Sequence, residues 1–119
     1  MQFTTAGTIA GTAFNGAIQP GDLQCTPTGN GQYVEMTWSG DVVAGGKQDQ
    51  ISGDMNLKTG TQDLKNASMS LVLNGDYNNR IGSPTGTATI AADGKSGTID
   101  AKMSYNNDNA TLKGTFKCT

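Results

Sequence analysis

The chain has 119 residues, the length of one domain, and Leu, Ile, Val and Phe contribute only 19 of them, about 16%. So low an aliphatic content is a warning of disorder, but a formal net charge of -2 with 15% charged residues is too small for charge-driven disorder. The 17 Gly, 16 Thr and 10 Asn residues favour many short strands joined by tight turns, and no apolar run approaches the ~18 residues of a membrane span.

The N-terminal region predicts a weak strand. Residues 1–5 lack the basic and apolar regions of a signal peptide, so we expect a mature domain if the protein is secreted. Residues 8–18 have an extended pattern with Phe14 and Ile18 in phase, although glycines interrupt it.

Six segments further along the chain alternate between apolar and polar residues. In the first of them, Val34, Met36 and Trp38 share one face, which predicts that Trp38 packs in the core. In the third, Val72 interrupts the polar face. The six segments are residues 32–38, 51–57, 69–73, 85–91, 98–103 and 110–118. Together they predict a single all-β domain over residues 1–119, an antiparallel β-sandwich or closed-sheet barrel of about seven to eight short strands.

Turn residues separate these segments. Asp93-Gly94, between two alternating runs, predicts a hairpin, whereas residues 62–66 are long enough for one helical turn. The Asn-rich segments 76–79 and 106–109 carry one carboxylate each and are interpreted as turns rather than calcium loops. Tyr77 and Tyr105 flank these turns and are our candidates for a contact surface, the alternative being ordinary turn packing.

The two cysteines, Cys25 and Cys118, have two interpretations: unrelated buried thiols, or one disulfide between an early strand and the last strand. The disulfide is favoured because the count is even and the core is thin, in a composition typical of extracellular bacterial domains. Cys25 also shares the parity of Leu23, and Cys118 that of Phe116, so both point inward. Two cysteines without a CxxC pattern or any histidine do not form a metal site.

The composition also limits the chemistry that the chain can perform. The absence of histidine excludes Ser-His and Cys-His nucleophilic catalysis, and phosphate-loop and dinucleotide motifs do not occur. The acidic residues fall in turns or on polar strand faces, which favours solvated carboxylates over a general acid/base pair. We therefore predict no enzyme activity, no cofactor and no metal. The pI of about 4.7, without a basic stripe, argues against nucleic-acid binding and against attraction to anionic membranes.

Two segments carry a family resemblance. Residues 21–30, Gly-Asp-Leu-Gln-Cys-Thr-Pro-Thr-Gly-Asn, and the closing residues 114–119, Gly-Thr-Phe-Lys-Cys-Thr, resemble the cysteine regions of the mycobacterial 19-kilodalton lipoprotein antigen (LpqH-type) family. Residues 82–95 resemble its Gly/Thr/Ala-rich strand and Asp-Gly turn. The resemblance covers most of the chain from about Gly16, as pattern rather than identity, and the acylated N-terminal cysteine of the family has no counterpart here.

The resemblance implies a lipid-anchored, surface-exposed domain of an actinobacterial envelope, recognised by host receptors and acting as an antigen or adhesin. It implies no catalytic residues, and only Cys25 and Cys118 match positions with a defined role. We expect a non-enzymatic extracellular or cell-surface domain that binds host components and meets membranes only through such an anchor. The alternative is a carrier of a small apolar ligand or lipid, and a secreted hydrolase with two carboxylates is the weakest hypothesis.

Overall fold

The computed structural model describes residues 3–76 and 80–118, which form ten antiparallel strands and three short 3-10 helices. The strands are β1 (Phe3–Ile9), β2 (Thr12–Ile18), β3 (Leu23–Thr28), β4 (Tyr33–Ala44), β5 (Lys47–Lys58), β6 (Gly60–Asp63), β7 (Ser68–Leu73), β8 (Thr85–Ile90), β9 (Ser96–Tyr105) and β10 (Asp108–Lys117). The 3-10 helices are Pro20–Asp22, Gly29–Gly31 and Leu64–Asn66. The predicted all-β antiparallel fold is confirmed.

All ten strands belong to one curled sheet, nine of them in the order β6-β8-β9-β10-β1-β2-β4-β5-β7. The tenth strand, β3, and β2 pair with different parts of the long strand β4. Residues 81 and 82 link the edge strand β7 to β9, on the other side of the curled sheet. Ile81 exchanges two backbone hydrogen bonds of 2.9 Å with Leu71 of β7, and the carbonyl of Gly82 accepts from the amide of Ser104 in β9 at 3.1 Å. The sheet is therefore a half-barrel.

The sheet has ten strands, more than the alternating segments alone suggest, for two local reasons. The stretch of residues 8–18 belongs to a hairpin of β1 and β2, in which Ala10 and Gly11 both take positive φ angles, 50° and 81°. A two-residue turn of this geometry matches the twist of the strands. The short β6 is polar and mostly exposed, so it carries no apolar alternation.

The inner face of the sheet forms one hydrophobic cluster. Trp38 is 4% exposed, as its alternation with Val34 and Met36 predicts. Phe3 lies between two aromatic side chains, with its ring centroid 6.3 Å from that of Trp38 and 6.0 Å from that of Phe116. Each large side chain buried in this way contributes roughly 1.5–3 kcal/mol. The few large apolar residues are thus concentrated where they stabilise the fold.

Cys25 of β3 and Cys118, next to β10, form the predicted disulfide, with Cα atoms 5.8 Å apart across 93 residues of sequence. The Cys118 amide also donates to the carbonyl of Lys95 at 2.7 Å, in the loop between β8 and β9. Gly94 of that loop lies beneath Val34 and Pro27, so the loop covers this end of the half-barrel. The bridge therefore joins strands from opposite sides of the sheet at a closed end.

The predicted hairpin at Asp93-Gly94 is present, because β8 and β9 pair antiparallel around it. The connection spans residues 91–95. Gly94 donates to the Ala91 carbonyl at 2.8 Å, and the Asp93 carboxylate accepts from the Lys95 amide at 3.0 Å. Both hydrogen bonds are local, which explains why this turn is readable from sequence.

The predicted helical turn near residues 62–66 is also present, as the 3-10 helix Leu64–Asn66. The Asp63 carboxylate accepts from the Lys65 amide at 2.8 Å, which caps the turn. Leu64 is fully buried and anchors it to the core. Within residues 3–76 and 80–118, no helix has the length and apolar character needed to cross a membrane.

Candidate binding cleft

A cleft of about 360 Å³ lies on the outer face of β3, β4, β5 and β7. We call the part of the sheet formed by these four strands the cleft wall. Its first row of side chains follows from the strand register: Gln24 pairs with Thr37, Thr37 with Asp54, and Asp54 with Ser70. Directly paired residues of antiparallel strands point to the same face. Four polar side chains from four strands therefore stand side by side.

A second row crosses the same strands two residues away. Ser39 pairs with Ser52, and Ser52 with Val72, while Asp22 and Arg80 also border the cleft. The centre of the two rows carries the short side chains of Thr37, Ser39 and Ser52. Gln24 and Asp54, which are longer, stand close to them in the first row.

The inner face beneath the cleft is unusually tight at Gly53, the partner of Trp38 in β4. A Cβ atom at position 53 would lie 2.3 Å from Cζ2 of Trp38 and 2.7 Å from the carbonyl oxygen of Ser70. Only glycine leaves room for the indole to lie across β5 at this point. Trp38 thereby braces the sheet under the cleft, and its buried Nε1 has no hydrogen-bond partner among the described residues.

The cleft is polar and carries a slight excess of negative charge. Asp22 and Asp54 contribute two carboxylates, and Arg80 contributes one guanidinium. The Ser70 hydroxyl donates to a carboxylate oxygen of Asp54 at 3.1 Å. This hydrogen bond orients the Asp54 carboxylate and leaves its second oxygen available to a ligand.

The two carboxylates are not placed as a close pair on the sheet. Asp22 precedes β3 by one residue, and Asp54 lies in β5. Because β4 lies between β3 and β5, the backbones of Asp22 and Asp54 are two strand spacings, about 9.5 Å, apart. Retaining glycosidases hold their two carboxyl groups about 5–5.5 Å apart and inverting ones about 6.5–9.5 Å apart, so this spacing does not match a retaining pair. Among the described residues, no group of three or more His, Cys, Asp and Glu side chains is placed to hold a metal ion.

The opposite side of the half-barrel, formed by β6, β8, β9 and β10, is named here the threonine wall. Its outer face carries a row of four exposed threonines at consecutive partner positions, which we call the threonine row: Thr61, Thr89, Thr98 and Thr115. The hydroxyl oxygens of Thr61 and Thr89 lie 3.1 Å apart. All four side chains have the same length.

Two further clefts lie at the surface. One, of about 450 Å³, includes Tyr33, Lys58 and Gln62, but the Gln62 amide is already engaged with the backbone amide and carbonyl of Lys58. The other, of about 460 Å³, lies on the threonine wall between Thr85, Lys102 and Thr111. The 450 Å³ cleft is also lined from four strands, β4 to β7, and the 460 Å³ cleft from three, β8 to β10. The first cleft differs from both in its unbroken row of paired polar side chains across four strands.

The residues singled out from the sequence have different outcomes. Cys25 and Cys118 are brought together. Tyr105, at the end of β9, is 55% exposed, while Tyr77 lies outside the described residues, so their contact surface stays a prediction. The cleft itself was missed. Its one sequence signal is Val72, the interruption in a polar face, which is only 3% exposed although it lies on the outer face.

Comparison of the chain with protein-family models, curated proteins and solved structures finds no match.

Proposed function

We propose that the chain is a non-catalytic binding domain that works outside the cytoplasm and binds its partner in the cleft on the outer face of β3, β4, β5 and β7. The observation that carries this proposal is the convergence of polar side chains from four neighbouring strands on one concavity. Sites on strands are held more precisely than sites on loops, which suits recognition.

The disulfide supports the extracytoplasmic part of the proposal. Bridges such as Cys25–Cys118 form and persist in oxidising compartments and are rare where thiols are kept reduced. A cell-surface domain of the LpqH-type antigen class is the narrower form of the proposal. It is tested by the gene sequence upstream of this chain, where a signal peptide that ends in a lipobox cysteine is expected.

The polar cleft also bears on the alternative of an apolar-ligand carrier. The large apolar side chains of the inner face pack against each other in a single cluster, whereas the polar cleft faces outward. An outward polar cleft favours a polar partner, because an apolar molecule would desolvate hydroxyl and carboxylate groups without replacing their hydrogen bonds.

A surface-binding experiment tests the proposal. The fluorescently labelled domain is incubated with bacterial and host cells, and bound fluorescence is measured for the wild type, for Ser52→Leu, which fills the centre of the cleft, and for Thr98→Leu, its match in the threonine row. We expect Ser52→Leu to reduce binding at least tenfold and Thr98→Leu to leave it unchanged. Equal binding by wild type and Ser52→Leu, or release of a reaction product from a bound surface, would contradict the proposal.

A further inference from the structure

We infer that the ligand of the cleft is a neutral saccharide, with the carboxylate of Asp54 as its anchor. This inference rests on the proposed binding function and adds the chemical class of the ligand. The argument proceeds from the charge, the free hydrogen-bonding groups and the dimensions of the cleft.

The charge of the cleft disfavours anionic ligands. Two carboxylates, Asp22 and Asp54, face one guanidinium, Arg80, which leaves one negative charge in excess. A phosphate group or an acidic sugar would meet repulsion from the two carboxylates, which one guanidinium does not fully offset. A neutral ligand meets no such penalty.

The free hydrogen-bonding groups of the cleft match hydroxyl groups on the ligand. The side chains of Gln24, Thr37, Ser39 and Ser52 make no hydrogen bond with any described residue. Serine and threonine hydroxyls rotate and can each donate or accept, as sugar hydroxyls do. A neutral polyhydroxylated ligand therefore satisfies these groups without requiring one fixed donor pattern.

Asp54 supplies the strongest contact. Its carboxylate stands in the middle of the first row, and the hydrogen bond from Ser70 at 3.1 Å occupies only part of its acceptor capacity. An ionised carboxylate forms stronger hydrogen bonds than a neutral acceptor, and two neighbouring hydroxyls of one sugar ring can donate to it together. Asp54 thus selects for a ligand rich in hydroxyl donors.

The dimensions of the cleft set the ligand size and strength of binding. Neighbouring strands lie about 4.8 Å apart and the two rows about 6.8 Å apart, distances comparable with those across a sugar ring. A volume of 360 Å³ is at the small end for ligand sites, so the cleft holds one or two rings. Val72 is 3% exposed and Trp38 is 4% exposed, so neither offers the ligand an apolar platform. We expect a dissociation constant of about 1 mM.

The experiment is an NMR titration of the disulfide-bonded chain, labelled with nitrogen-15, against glucose, galactose, mannose, N-acetylglucosamine and their disaccharides. Sialyllactose, inorganic phosphate and glycine serve as anionic and zwitterionic comparisons. We expect at least one neutral sugar to produce saturable shifts of the backbone amides of Thr37, Ser52 and Asp54. The anions and glycine should produce none that saturate.

Two variants and one matched control make the assignment specific. Asp54→Asn keeps the size of the side chain but removes its charge, and it should weaken binding by about tenfold or more. Ser52→Leu should abolish binding, whereas Thr98→Leu should bind like the wild type. The dispersion of each NMR spectrum verifies that the variant is folded, and Asp54→Asn keeps the test decisive if Ser52→Leu does not fold.

The outcomes separate this inference from the proposed function. If no neutral sugar shifts the amide signals of the cleft residues, or if phosphate or glycine binds there instead, the saccharide inference is overturned. The cleft remains a binding site in that case as long as Ser52→Leu still abolishes attachment to cells. If a sugar binds, competition with actinobacterial envelope polysaccharide and with oligosaccharides from host glycoproteins identifies which of these two sources carries the preferred saccharide.

Discussion

The cleft wall and the threonine wall have the same construction but different outer surfaces. Both bury an alternating inner face, and both carry rows of hydroxyl side chains outside. In the threonine row, side chains of one length stand side by side, and the cleft of this wall lies elsewhere, beside Thr85, Lys102 and Thr111. In the cleft wall, short Ser39 and Ser52 stand next to longer Asp54 and Gln24, and the surface is concave. The two walls thus differ in which side chains the strand register brings together, and not in whether a cleft is present.

On the inner face of each wall, a glycine lies opposite an aromatic side chain and leaves space for its ring. Gly53 on the cleft wall makes room for Trp38, and Gly97 on the threonine wall makes room for Phe116. A Cβ atom at position 97 would lie 3.1 Å from Cζ of Phe116. Phe3 of β1 contacts both rings. The walls therefore meet at three aromatic side chains in the core and at the disulfide near one end.

Removal of the disulfide is expected to have the largest effect, because Cys25 belongs to the cleft wall and Cys118 follows the last strand of the threonine wall. For a loop of this length, the chain-entropy treatment gives about 4–5 kcal/mol of stabilisation. The double variant Cys25→Ser/Cys118→Ser should lose about that much free energy of unfolding, measured by urea denaturation. A loss below about 1 kcal/mol would mean that the continuous sheet and the aromatic cluster hold the walls together without help from the bridge.

The substitution Gly53→Ala is expected to have an intermediate effect, confined to the cleft wall. The added methyl group would overlap the indole of Trp38 and the Ser70 carbonyl, and overpacking of this kind costs about 1–3 kcal/mol. Thermal unfolding and Trp38 fluorescence measure the change. Gly21→Ala is the control, since nothing lies within 4 Å of its Cβ position, and it should change stability by less than about 0.5 kcal/mol. Equal effects of both would refute the packing argument.

The smallest expected effect is a gain in stability on substitution of Thr5, which lies in β1 between the two walls. Thr5 is 1% exposed, and its hydroxyl has no hydrogen-bond partner among the described residues. Valine has the same shape without the hydroxyl, so Thr5→Val should stabilise the protein by about 1 kcal/mol in chemical denaturation. Thr4→Val, at a hydroxyl that donates to the Lys113 carbonyl at 3.3 Å, should give no gain. Destabilisation by Thr5→Val would indicate a buried partner for the hydroxyl.

Much of the fold is predictable from local sequence, because burial of one sheet face requires apolar and polar residues to alternate along each strand. Val34, Met36 and Trp38 show this, and so does the disulfide, whose two cysteines share the parity of buried neighbours. The hairpin of β1 and β2 is harder, since its turn uses Ala10 at a φ of 50°, an angle that alanine rarely adopts.

The cleft could not be predicted in the same way. Gln24, Thr37, Asp54 and Ser70 are separated by up to 46 positions in the sequence, and only the pairing of four strands aligns them. A shift of one residue in any pair would turn a member of the row inward. Each of these residues, taken alone, has the pattern of an ordinary solvated side chain.

The pairing of β1 with β10 has a consequence for how the chain folds. Phe3 lies opposite Gly114, and β1 occupies the middle of the sheet, so the two walls cannot join until the last strand has been synthesised. Contacts this distant in sequence are slow to form, and folding rates fall as such contacts dominate. The central strand β1, made near the start of this domain, therefore stays without one of its two neighbours until β10 has been made.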